Sequence, residues 1–170
     1  PSAPAPGRFD PTSVMALVME KPELSLFFIQ KADVKGYPWA NQMAFPGGHQ
    51  EETDADSEQT ALRELHEETG IRPENVRVIG SLGHFQTLNN KDIEAWTGIW
   101  NQADTVVFET AEIARVFHIP LARLMDHHCK AGFHIRVPDF TGLIYPWQDV
   151  QIWGVTAKIL CHLINLILKT

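Results

Sequence analysis

An α/β fold, a sheet flanked by helical layers, is what this sequence predicts, and three observations carry the expectation. β-branched and aromatic runs broken by Gly, Pro and Asn recur along the chain. Segments of helical period interrupt them. The order of the two kinds of segment suits a sheet with helices packed on it. At 170 residues and 44% hydrophobic composition, the chain is sized for one domain with a proper core.

The opening, PSAPAPGRFDPT, reads as a Pro-rich extended arm over residues 1–12, with neither the charged nor the long apolar region of a signal peptide. A single domain is expected over 13–170. Strands are expected near 13–19, 24–30, 43–45, 76–84, 94–100, 105–108 and 113–119. On the 94–100 strand Trp96 and Trp100 fall on one face, and core packing is expected for at least one of them. Helices are expected near 57–69, 121–127 and 154–168. The first has both ends written in: Asp56 followed by Gln59 resembles a capping box, and Thr69-Gly70 supplies a left-handed terminator. The last, WGVTAKILCHLINLILKT, carries Lys158, His162 and Asn165 and is shorter than the roughly 20 residues needed to cross a membrane. It reads as a buried C-terminal helix or part of a homodimer contact.

Residues 47–71, GGHQEETDADSEQTALRELHEETGI, hold eight acidic side chains among twenty-five. At about 100° per residue, Glu64, Glu67 and Glu68 share one helix face, and Ala61, Leu62 and Leu65 form an adjoining apolar stripe that can pack. Like charges at this spacing cost about a few tenths of a kcal/mol on a bare helix and more when burial removes water, so a cation is the natural remedy. Carboxylate oxygens suit Mg²⁺, Mn²⁺ or Ca²⁺ rather than zinc. His66 points about 200° away from Glu64 and is no ligand.

Arg63-Glu64-Leu65-His66-Glu67-Glu68-Thr69-Gly70-Ile71 resembles the end of the Nudix box, Arg-Glu-aliphatic-any-Glu-Glu-any-Gly-aliphatic. Fourteen residues separate Gly48 from Arg63, one more than the family pattern, so the upstream acid falls on Asp54 counted forward or Ala55 counted backward; Asp54 is preferred. The form FPGG…D…TALRE looks like the branch containing coenzyme A pyrophosphatases, and the likeness continues through VFHIPL and IWGVTAK, over about residues 14–168. The arginine, arginine and glycine of that branch align with Ala32, Tyr37 and Asn41, and all three are absent.

The resemblance implies a Nudix-type α/β/α sandwich with a mixed β-sheet. It also implies Mg²⁺- or Mn²⁺-dependent hydrolysis of the pyrophosphate bond in a small nucleoside diphosphate linked to another group, such as ADP-ribose, a nucleotide sugar or a dinucleotide. A coenzyme A pyrophosphatase is the alternative, and a non-catalytic nucleotide-sensing domain a second. By the same carry-over Glu64 and Glu68 are the leading metal ligands, with Glu67 a further ligand and Gly47 contributing its carbonyl. Arg63 either clamps phosphate or, as the family more often has it, holds a box acid. The general base is a box glutamate such as Glu67, or Glu112 or Glu109 from a later loop.

Lys31, Lys35, Tyr37 and Trp39 join positive charge to aromatic faces that could stack on a base, or else form a loop packed on the sheet. The pair His127-His128 is expected to face solvent. Fourteen basic against twenty-one acidic residues, a formal charge of −7, argue against a grip on long nucleic acid. No membrane partner is expected. Cys129 and Cys161 are isolated, which fits a reducing, cytoplasmic setting.

Overall fold

A computed structural model describes residues 1–170 except Pro6, Arg8, residues 37–39, Leu88, Phe140 and Thr170. Along the chain it contains β1 (Asp10–Met19), β2 (Ser25–Lys31), β3 (Met43–Ala44), β4 (Gly47–His49), α1 (Ser57–Thr69), β5 (Val76–Gln86), β6 (Lys91–Trp100), β7 (Ile113–Pro120), α2 (Leu121–Lys130), β8 (Tyr145–Trp147), β9 (Val150–Ile152) and α3 (Gly154–Ile167).

β1 organises the sheet. It runs parallel to β6 from Asp10↔Lys91 to Met19↔Trp100. Its other edge is shared: Thr12–Val14 pair with β4, and Val18–Met19 pair with β2, both antiparallel. Between them Met15 donates its N–H to the Pro46 carbonyl at 2.9 Å. β3 and β7 pair with β2, and β5 with β6, giving a seven-stranded mixed sheet. Successive β1 side chains alternate between two cores, as a strand covered on both faces requires. Met15, Leu17 and Met19 pack with Ala61 and Leu65 of α1, whereas Val14 and Ala16 pack with Leu121 and Leu124 of α2 and Ile159, Leu160 and Ile164 of α3. The α/β/α sandwich follows. Trp100 is buried in the α1 core and Trp96 is partly buried against it.

The three expected helices form, α1 with the expected bounds. Asp56 Oδ1 accepts the Gln59 N–H at 2.9 Å, Gln59 Oε1 accepts the Ala55 N–H at 2.6 Å, and Gly70 closes the helix at φ 72°. The apolar character of α3 is accounted for by its buried residues, among them Ile159, Leu160, Leu163 and Ile164. Among the described residues no helix is long and apolar enough to cross a membrane.

Several expectations need correction. Residues 105–108 are not a strand: the Val107 N–H goes to the Thr69 carbonyl at the end of α1 (2.9 Å), so the segment braces the helix instead of joining a ladder. β1 begins at Asp10, so residues 10–12 belong to the sheet and not to an arm. β4 and the β8–β9 hairpin were not anticipated; three-residue strands, one Gly-Gly-His and one containing Pro146, carry almost no pattern of their own. His128 does not face solvent. It follows Leu121 and Leu124 on the inner stripe of α2, fully buried, with Nδ1 at 2.8 Å from the Tyr145 hydroxyl and Nε2 at 3.2 Å from Asn165 Oδ1. Burial pushes its imidazole pKa down. His127 is half-buried, its Nε2 donating to the Ile144 carbonyl at 2.9 Å.

The Asp56 cap is separate from the carboxylate face, so Asp56→Ala is expected to lower stability by about 1 kcal/mol. Urea unfolding at neutral pH measures this; an unchanged midpoint would show that the cap contributes nothing.

Candidate active site

α1 is pinned on one side by Ala61 and Leu65 and capped at both ends, which leaves Glu64, Glu67 and Glu68 along the flank that meets Gly47 and Gly48 of β4. Gly47 is needed for that approach, and Gly48 leaves the Glu64 carboxylate where it stands. A Cβ on Gly47, at φ 157°, would lie 2.2 Å from the Ser13 carbonyl oxygen. A Cβ on Gly48 would lie 2.4 Å from the Glu64 carboxylate. The contact is thus between backbone and carboxylates: Gly47 N–H donates to Glu68 Oε2 at 3.0 Å.

Arg63 binds the loop to the helix. Its Nε and Nη2 donate to the two oxygens of Asp54, each at 3.0 Å, Nη2 also reaches the His49 carbonyl at 2.9 Å, and Nη1 reaches Glu64 and Glu67, each at 3.0 Å. The guanidinium is thus engaged on Asp54, Glu64, Glu67 and a backbone carbonyl, the geometry of a side chain that holds box acids. Asp54, the acid counted forward from Gly48, is the one Arg63 holds, so the extra residue falls between Asp54 and Arg63. The Asp54 side chain is only 3% exposed and also accepts from Thr60 Oγ1 and the Glu51 N–H, each at 2.9 Å. The Arg63 hydrogen bonds, foremost, hold the Asp54 carboxyl well below the usual carboxylate range.

Glu64 is different. Burial, with repulsion from Glu68 and Glu67, pushes its pKa up against the pull of Arg63. Glu67 is more exposed, and Glu68, at 9% exposure, is held by Gly47 and by the Lys31 ammonium at 2.5 Å. Lys31 reaches it because it lies on the same face of β2 as Phe27 and Ile29, the face that packs toward α1.

The oxygen donors able to hold a cation are therefore Glu64, Glu67, Glu68 and the Gly47 carbonyl. They suit a hard divalent ion in chemistry and charge, and the missing side chain at Gly48 leaves room at Glu64. Among the described residues, however, no three carboxylate, imidazole or thiol groups already stand as a coordination set. Arg63 and Lys31 hold the carboxylates instead.

Two cavities flank Lys31. One, of about 400 Å³ between the sheet and α3, is lined by Lys31, Gly47, Gly48, His49 and Lys91, by the apolar Val14, Phe45, Ile93, Val155 and Ile159, and by the hydroxyl-bearing Thr12, Thr87 and Thr156. The other, of about 320 Å³, is lined by Lys31, Ala32, Val34, Ala111 and Glu112. Glu112 is brought there by its carbonyl, which accepts the Ala32 N–H at 2.8 Å. Glu109 is exposed at the start of the same turn, its carbonyl accepting the Glu112 and Ile113 N–H groups, and it lines neither cavity. Lys35 is likewise exposed and lines neither. Tyr37 and Trp39 lie outside the described residues. Asn41, at the aligned glycine position, takes φ 62°, a left-handed conformation that Asn tolerates. His49, Lys91 and the first turn of α3 were not singled out from sequence, since nothing local links residue 156 to residue 47.

The NUDIX domain model matches residues 10–129. The chain belongs to the Nudix hydrolase family. It is 32% identical over 154 residues to the uncharacterized Nudix hydrolase NudL of Klebsiella pneumoniae, covering 89% of this chain and 79% of that one. In fold it is similar to the MutT protein of Methanosarcina mazei, with TM-score 0.60 and 14% identity over 95% of this chain and 96% of the other. It is also similar to the NUDIX domain of Shewanella oneidensis NrtR, complexed with ADP ribose, with TM-score 0.54 and 21% identity over 72% and 82% of the two chains. This Nudix enzyme is accordingly a hydrolase of phosphorus-containing acid anhydrides.

Asp54→Asn should lower stability at pH 7 by about 1–3 kcal/mol, because it weakens charged hydrogen bonds at a nearly inaccessible site. A depressed carboxyl pKa contributes stability above its unfolded value and loses it as pH falls through the lowered one. The gap between wild type and variant should therefore close as pH drops below about 4. Urea titrations of both proteins from pH 7 to 2 measure it, and a gap independent of pH would rule out the ionised pair as its source.

Proposed function

We propose that this Nudix hydrolase cleaves the pyrophosphate bond of a small nucleoside diphosphate derivative of the ADP-ribose, nucleotide-sugar or dinucleotide type, using Mg²⁺ or Mn²⁺. One observation carries the reading: the Glu64–Glu67–Glu68 face meets the Gly47-Gly48 backbone beside a cavity that also holds lysines. The similar NrtR domain carries ADP ribose, which makes that compound the first substrate to try. Coenzyme A is the second reading. It is favoured by the longer spacing before Arg63, which the Asp54–Arg63 pair accommodates.

Glu64 and Glu68, with Glu67 and the Gly47 carbonyl, hold the divalent ion, which supplies charge neutralisation on the phosphates. Arg63 keeps two of those carboxylates on one side of the helix. Glu112, beside Lys31, is the preferred acceptor for the proton of the attacking water, ahead of Glu109; Glu67 is the competing assignment. Retention of all three box glutamates supports turnover over the sensing alternative.

Glu64→Gln and Glu68→Gln should keep the fold and lose at least ~10²-fold in turnover. A phosphate-product assay over ADP-ribose, nucleotide sugars, dinucleotides and coenzyme A with Mg²⁺ tests this. Binding without turnover on every member would instead mark a sensor.

Mg²⁺ or Mn²⁺ should raise the Tm of wild type, since the ion binds the folded face alone. For the base, Glu112→Gln should lower kcat with Mn²⁺ affinity unchanged, whereas Glu67→Gln should weaken both. Full activity in Glu112→Gln and Glu109→Gln would move the base into the box.

A further inference from the structure

Four closely joined carboxylates, Asp54, Glu64, Glu67 and Glu68, face two cationic side chains, Arg63 and Lys31. The two cations differ in how firmly they are committed. Arg63 has five hydrogen bonds in a planar fork to three carboxylates and a carbonyl, so it cannot leave without undoing the loop. Among the described residues the Lys31 ammonium rests on a single carboxylate oxygen, at the end of a flexible four-carbon stem. Its backbone is fixed independently: the Lys31 N–H donates to the Gln42 carbonyl at 2.9 Å, and its own carbonyl accepts the Asn41 N–H at 3.2 Å. The side chain can therefore change partner while the strand stays in place. It also lines both cavities, that of Glu112 and that of Gly47 and Lys91.

We propose that Lys31 is an exchangeable counter-cation of the metal site: it neutralises Glu68 in the metal-free protein, yields that carboxylate to the divalent ion, and turns its ammonium to the diphosphate of the substrate. The inference rests on the metal-dependent hydrolase reading and adds to it a coupling between ion loading and anhydride binding. The charges agree. With Lys31 turned away, four carboxylates and Arg63 leave three negative charges, and one divalent ion cuts these to one. Once that ion is bound, an ammonium left against it would be repelled, and the incoming diphosphate is the nearest anion able to receive it. No proton or covalent bond changes hands in the exchange. Lys31 is a positioning and binding residue rather than the base.

Two measurements test the exchange without relying on turnover. In wild type, the rate at which an amine-acetylating reagent modifies Lys31, followed by mass spectrometry, should rise about threefold or more when Mn²⁺ is added and fall back when inorganic pyrophosphate follows. By calorimetry without nucleotide, Lys31→Met should bind Mn²⁺ about threefold or more tightly than wild type, because the competing cation is gone. The same variant should show KM for the best substrate of the panel raised about tenfold, the loss of one charge-assisted phosphate contact, and Lys31→Arg should recover part of it. Mn²⁺ binding with unchanged Lys31 labelling, or weaker Mn²⁺ binding in a folded Lys31→Met, overturns the exchange and leaves the hydrolase reading standing. No Mn²⁺ binding by wild type would overturn both.

Discussion

Arg63 directs its guanidinium to Asp54, Glu64, Glu67 and the His49 carbonyl, and through these contacts the loop before α1, the helix and the strand β4 are held as one unit. Without it, carboxylates at i, i+3 and i+4 on a half-buried face would repel one another and draw toward water. The arginine is satisfied almost wholly within the protein. Its charge is taken up by the loop and the helix, and among the described residues Lys31 and Lys91 are the cationic side chains that line the larger-volume cavity beside them.

The sheet supplies the other half of the constraint. β1 is saturated along one edge by β6 but divided on the other between β4 and β2, and the division puts Gly47 and Gly48 of β4 beside α1. A Cβ at Gly47 would run into the Ser13 carbonyl, and one at Gly48 would displace the Glu64 carboxylate. Backbone N–H and C=O groups thereby come into reach of the acids, which is how a fold built for packing also presents a set of oxygen donors. The two faces of β1 divide the work: one packs α1 and so fixes the acids, the other meets α3 and so shapes the cavity wall.

The electrostatic contrast within the acid cluster is set by environment. Asp54 is pulled far toward ionisation by a bidentate partner, whereas Glu64, in contact with the same arginine, is pushed the other way by burial and by its neighbours' charge. One carboxylate is thus a stable structural anion and the other an unstable one that gains most from a cation.

The sequence by itself determined the local elements and the identity of the acidic face, because periodicity, caps and box spacing act within one or two helical turns. Asp56, Gln59 and Gly70 set the bounds of α1, and Glu64, Glu67 and Glu68 could lie nowhere but side by side once that helix formed. It could not determine what those acids touch when no ion is present, nor who lines the cavity. The reason is separation along the chain: Lys31 meets Glu68 across 37 residues, and Val155, Thr156 and Ile159 join Gly47 across more than a hundred. The same limit explains the errors. Residues 105–108 had the composition of a strand but found a helix end as their partner, and His128 was drawn inside by the stripe of Leu121 and Leu124 and kept there by Tyr145 and Asn165, partners that only the folded chain brings together.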